Sequence, residues 1–169
     1  MSDRRITPWF RLRGQRVSRP MGNGRQDVPS PGRHRGEVMT RATIEAYYAA
    51  FNRGDIDGML ATLHDEFSHH VNEGGVRLGK SAFADFCRHM SETYRETLTD
   101  LVVLSSSDGT RGAAEFTVNG TYLKTDPGLP EARGQTYVLP AGGFFTLKDG
   151  LITRVTTYYN LQDWLRQVA

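Results

Sequence analysis

Between Thr43 and Asn72 the chain reads as helix, break, helix, strand, and this order restricts the fold more than any other stretch. Ile44, Tyr47, Tyr48 and Phe51 recur at i, i+3, i+4 and i+7, which is one face of an α-helix. Gly54 stops that helix, because glycine takes a left-handed cap at no steric cost. Asp55 is placed to cap a second helix, whose stripe is Ile56, Met59, Leu60 and Leu63. Phe67 to Asn72 follows as a short strand, and Glu73-Gly74-Gly75 as a turn. A helix pair with tyrosines on its apolar stripe either fills a core or lines a hollow.

The rest of the chain turns from helix to strand. Ser81 is the expected cap of a third helix with Phe83, Phe86, Met90 and Tyr94 on one face. From Thr97 onward the pattern is β: Leu101 to Leu104, an Asp108-Gly109 turn, then the alternating run Ala114 to Asn119. Gly120 marks a bend or a close backbone approach. Residues 124–134 form a loop that is either a lid or a long hairpin connection. Tyr137 to Leu147 is a strand interrupted at Pro140-Ala141-Gly142-Gly143, where a bulge or sharp bend is expected. Asp149-Gly150 turns into a last strand, Leu151 to Tyr159. Asn160 then caps a closing helix with Leu161, Trp164, Leu165 and Val168 on one face. Hairpin-length turns predict an antiparallel sheet, and helices gathered on one side of it make an α+β domain. A strongly bent sheet with helices across it leaves a conical cavity.

Charge divides the chain. Residues 1–38 hold nine arginines, no lysine and three acids, a balance of +6, while the remainder is −4. The first segment lacks a helical or strand period and reads as disordered. It is a nucleic-acid or membrane-touching arm, a transit peptide, or no natural part of a protein whose translation starts at Met39; the last is favoured. In that reading Thr40 caps the first helix, and the domain begins there. The mildly acidic body is not expected to bind nucleic acid. One cysteine, Cys87, excludes an intrachain disulfide and reads as a buried, inert thiol. No run of apolar residues reaches membrane-span length, and no secretory signal core is present, so a cytoplasmic protein is the default expectation. Without a P-loop, dinucleotide fingerprint or cluster-type cysteines, no cofactor is expected. His64, His69 and His70 lack metal-site spacing, so no metal is expected either.

The runs AYYAAFNRGDIDGMLATLHDEFSHHVNEG and GLITRVTTYYNLQDWL resemble the ketosteroid isomerase and SnoaL-like group of the nuclear transport factor 2-like superfamily, over about residues 40–169. GTYLKTDPGLPEARGQTYVLPAGGFF is similar to a bacterial set described as ketosteroid isomerase-related. The resemblance implies a cone-shaped fold and a homodimer. It also implies cofactor-independent acid/base chemistry of the isomerase, cyclase or dehydratase type on a small hydrophobic carbonyl compound. In ketosteroid isomerase an Asp base moves a proton beside a carbonyl while a Tyr and a protonated Asp hold the oxyanion. By this resemblance the tyrosine falls on Tyr47, the base position on His70, and the second oxyanion donor near Gly143, which has no side chain.

Candidate site residues follow. His70 is the expected base and Tyr47 the oxyanion donor, facing one hollow. Asn72 shares a face with His70 and either orients substrate or forms a turn. Phe51, Phe86, Met90, Phe116, Tyr137 and Tyr158 are expected to line the substrate pocket. His69, on the other face of the strand, is expected to be exposed or at an interface, and Tyr48 to pack. Glu115 and Asn119 point outward unless the strand bulges, in which case Glu115 is an alternative acid or base. Tyr158 and Tyr159 take opposite faces, so one of them reaches the cavity. Three functions compete: a proton-transfer enzyme, a non-catalytic ligand-binding or dimerisation module, and a hydrolase or dehydratase built on Glu115.

Overall fold

Alternation along the strands decides what is inside. The computed structural model describes residues 31–169, in the order α1 (Pro31–Asn52), α2 (Ile56–Ala61), β1 (Leu63–Val71), β2 (Val76–Leu78), α3 (Gly79–Thr93), β3 (Tyr94–Ser105), β4 (Arg111–Tyr122), β5 (Thr136–Lys148), β6 (Leu151–Tyr159) and α4 (Leu161–Val168). In β4 the residues Ala114, Phe116, Val118 and Tyr122 are buried, while Glu115 and Asn119 between them are exposed. In β5 Tyr137, Leu139, Phe145 and Leu147 are buried, and Val138 and Phe144 are exposed. One face of the sheet therefore carries the core, and the other carries polar residues with an apolar stripe.

The six strands lie in the order β2-β1-β6-β5-β4-β3. The α+β class holds, but the sheet is mixed rather than wholly antiparallel. β1 runs parallel to β6, and all other neighbours are antiparallel. The chain turns from β1 through the short β2 into α3, so β1 has an open edge that the last strand fills from the other side. Asp149 and Gly150, both at positive φ, form the two-residue turn that joins the paired ends Lys148 and Leu151.

Several local expectations are corrected. α1 starts at Pro31, so the segment read as disordered is helical from there on, and residues 1–30 lie outside the described part. Thr40 is not a cap: it is buried inside α1, and its hydroxyl donates to the Gly109 carbonyl at 2.5 Å. Gly36 explains this docking, because a Cβ there would stand 3.2 Å from the Asp108 carbonyl oxygen. The missing side chain lets the helix rest this closely against the β3–β4 turn. Ser81 does not cap α3, which begins at Gly79 after Leu78 with no side-chain cap bond. Leu63 and Tyr94 belong to strands, not to the helices before them.

The bulge expected at Pro140–Gly143 is absent, since β4 and β5 pair without a break from Arg111↔Thr146 to Thr121↔Thr136. Irregularity falls instead in β3 between Thr99 and Val102, where Asp100 has φ 56°, in β1 between Leu63 and Ser68, and between β5 and β6 at Thr146 and Leu147. Pro140 is tolerated because β6 stops pairing at Ala141. Beyond that point Gln167 of α4 takes the neighbour's place, donating to the Val138 carbonyl and accepting from its amide at 3.0 and 2.9 Å. Among the described residues no helix is long and apolar enough to cross a membrane.

Candidate functional site

β1 decides the site. Phe67 and His69 point to the core, at 2% and 3% exposure, while Ser68 and His70 take the opposite face. His70 Nε2 lies 3.2 Å from Ser68 Oγ, on the side away from α3. The expectation that His70 shares a hollow with Tyr47 is therefore overturned, and so is the expectation that His69 is exposed. His69, not His70, is the inward imidazole.

His69 packs edge-on against Phe83 and tilted against Phe86, each 5.1 Å between centroids. Its Nε2 is 3.4 Å from Thr157 Oγ1, and its buried Nδ1 has no partner. Burial, followed by the nearby charges of Arg77 and His70, holds its pKa down to about 4. The imidazole is neutral at pH 7. Arg77 of β2 stands opposite His69 in the ladder, with its guanidinium carbon 3.9 Å from the centre of the Phe86 ring. Beside it the Cys87 thiol is pushed up to about 11, mainly by burial. Cys87 is a protonated, partly buried thiol.

Tyr47 and Tyr48 complete this side. Both are buried at 5% exposure, with ring centroids 5.2 Å apart in a T-shaped pair. Tyr47 stacks on Phe83 at 6.4 Å. Burial raises both phenol pKa values, so each hydroxyl keeps its proton and can donate. Tyr48, expected only to pack, has its hydroxyl 2.7 Å from the point where a Cβ on Gly143 would sit. The position with no side chain is occupied in space by a phenol from the helix.

The other candidates scatter. Phe51, Phe86 and Phe116 face the core, Phe51 and Phe86 partly buried. Met90 is partly exposed on α3. Asn72 is exposed and bridges strand ends, accepting from the Tyr159 amide and donating to its carbonyl. Tyr158 is on the outer face, 48% exposed and 5.6 Å from Phe144, so it lines no inner pocket. Tyr159 is its inward counterpart. Glu115 is exposed on the outer face and is not a pocket acid.

The inward carboxylate is Glu96, which the sequence reading passed over. Tyr137 donates to Glu96 Oε1 at 2.6 Å, and burial raises the Glu96 pKa. Tyr137 reaches it by lying across Gly120, whose Cβ would stand 2.1 Å from the ring. The alternation Tyr94, Glu96, Leu98 is the signal that places Glu96 inward, whereas Val76 and Leu78 around Arg77 point the other way, since both are exposed and Arg77 is the half-buried one. The loop at 124–134 is pinned, since Asp126 accepts from Tyr94 at 3.1 Å and its amide donates to the Tyr122 hydroxyl. A groove of about 230 Å³ beside Phe144, Leu104 and Arg111 holds none of the residues in the His69 or Glu96 clusters.

The sequence model of the SnoaL-like domain matches residues 44–155. Among solved structures, a protein of Silicibacter sp. TM1040 described as a putative polyketide cyclase is 64% identical, with 77% of this chain and 95% of that one covered and a TM-score of 0.75. Another so described, from Xanthomonas campestris pv. campestris, is 51% identical over 79% and 99% of the two chains, with a TM-score of 0.77. A nuclear transport factor 2-like protein of Burkholderia xenovorans LB400, 17% identical over 79% and 98%, has a TM-score of 0.64, a likeness of fold. No curated protein matches.

Proposed function

The chain belongs to the SnoaL-like domain family, and on that premise we propose that it binds a small, mostly apolar carbonyl compound between α1, α3 and the inner ends of β1, β5 and β6, and moves a proton on it. His69 is the base. Its Nδ1 takes a proton from the carbon beside the carbonyl, and the bonding pair moves onto the carbonyl oxygen as an enolate. The phenols of Tyr47 and Tyr48 donate to that oxygen, a kind of contact worth roughly 2.7–4 kcal/mol in the transition state. The enolate carbon then takes the proton back from the imidazolium, or attacks a second carbonyl of the same molecule, whose π pair moves onto its oxygen and takes that proton as a hydroxyl. The description of two relatives as putative polyketide cyclases supports the second outcome.

One observation carries this reading: an imidazole at 3% exposure, neutral at pH 7, with an unpartnered ring nitrogen. The test is deuterium exchange of ketone α-protons followed by NMR. General-base catalysis contributes about 10²–10⁴-fold, so His69→Ala should lose at least about 100-fold while His70→Ala stays near the native rate. Native exchange in His69→Ala removes the base assignment.

A second reading, a binding module without catalysis, is favoured by the depressed basicity of His69. It predicts ligand binding with no exchange in the native chain.

The same reading includes a homodimer across the outer face. Val102, Leu104, Val138 and Phe144 are each more than half exposed there, an apolar stripe of the kind that marks an interface.

A further inference from the structure

Arg77 is the group the proton-transfer reading leaves unexplained. It sits on the three-residue β2, level with His69 across the ladder and with its guanidinium carbon over the Phe86 ring. Its Nη1 is buried without an acceptor, as is the neighbouring His69 Nδ1. Among the described residues the ion pairs use Arg53, Lys80, Arg88, Lys124, Lys148 and Arg166 as cations, with His64 and His89 beside carboxylates, and none uses Arg77. Cys87 cannot supply the missing anion, because its thiol keeps its proton at neutral pH. A buried donor left unpaired is unfavourable, more so on a charged group, and this one nitrogen is buried although Arg77 as a whole is half-buried. The ring it lies against, Phe86, offers no acceptor of comparable strength.

We propose that Arg77 is the recognition point for a carboxylate on a flat, mostly apolar acid, whose body lies along Phe86 and Phe83 and whose carboxylate oxygens pair with the guanidinium fork. The proposal deepens the reading above, since it assigns a substrate class to the same site. A planar guanidinium matches a carboxylate through two parallel hydrogen bonds, which a point charge cannot do. Rings at 5.1 Å from His69 supply the apolar wall, and the imidazole nitrogen supplies a neutral neighbour. An anion on Arg77 also offsets the cationic field that weakens His69 as a base.

The test is calorimetric titration of the full chain at pH 7.5 with 2-naphthoate and with 2-naphthamide, which share a ring system and differ in charge. Naphthoate should bind at least 10-fold tighter. In Arg77→Met the two should bind equally, and Arg77→Lys should recover part of the preference; circular dichroism checks that each variant is folded. Equal binding by the native chain, no binding of either probe, or a preference that survives in folded Arg77→Met overturns the proposal. The native contrast stands even if Arg77→Met does not fold. The two readings separate cleanly. Naphthoate preference with unchanged exchange in His69→Ala keeps the carboxylate site and removes the base. Exchange that depends on His69 without naphthoate preference does the reverse.

Discussion

Tyr48 and Gly143 share one place, and each makes the other possible. With the phenol oxygen 2.7 Å from a hypothetical Cβ, Gly143→Ala must push the ring aside or strain the strand. Overpacking of this sort costs about 1–3 kcal/mol. Chemical denaturation should show that loss, and Tyr48→Phe in the same chain should recover part of it, because the two changes act on one contact. The rest of the strain remains, since Phe145 carbons stand 3.2 and 3.4 Å from the same point. His69 sets the response to acid. Its folded pKa of about 4 lies below the unfolded value of about 6.5, so the unfolded chain binds more protons between them. The stability tied to His69 is full above pH 6.5 and is lost as pH falls toward 4, by about 3 kcal/mol in all. Urea unfolding across this range should show a shallower decline for His69→Phe than for the native chain.

At the scale of elements, α4 acts as a substitute strand neighbour. Gln167 gives Val138 the two backbone bonds that β6 no longer provides. Gln167→Ala should cost about 1–2 kcal/mol for the lost bonds, and the Val138 amide should exchange with deuterium faster than its neighbours in β5. Asn160 holds the start of α4 by accepting from the Asp163 amide at 3.1 Å. Asn160→Ala should lower stability by about 1 kcal/mol in thermal or chemical unfolding. This cap was readable from the residues alone, as was Asp55, which accepts from Gly58 at 2.8 Å. The start of α1 was not readable. Its first turns are rich in Gly and Arg and show no period, and the helix docks on a turn more than 65 residues further along, where the Thr40 hydroxyl donates to the Gly109 carbonyl. A helix held by a distant partner leaves little local trace.

At the scale of the whole molecule, the two faces of the sheet divide the work. Helices and the His69 cluster occupy one face, and the stripe of Val138, Phe144, Leu104 and Val102 occupies the other. If two copies meet on that stripe, Phe144→Arg should convert a dimer into a folded monomer in sedimentation, with melting by circular dichroism still cooperative. An unchanged sedimentation coefficient would remove the interface from that face.

Periodicity and turn chemistry specified most of the architecture: the two opening helices, the alternation of β4, the Asp149-Gly150 hairpin and the closing helix all follow from residues a few positions apart. Family membership was visible in the same way, in contiguous runs at both ends of the domain. The site was less visible because strand direction reverses with every residue, and a one-place error moves a side chain to the other face. Phe67, two places before His69, marks it as the inward residue by alternation, but Ser68, His69 and His70 are all polar and none of the three is marked by its own character. The pairing of His69 with Val155 and Arg77 settles it. Those partners come from segments up to 86 positions away, and only folding brings them alongside.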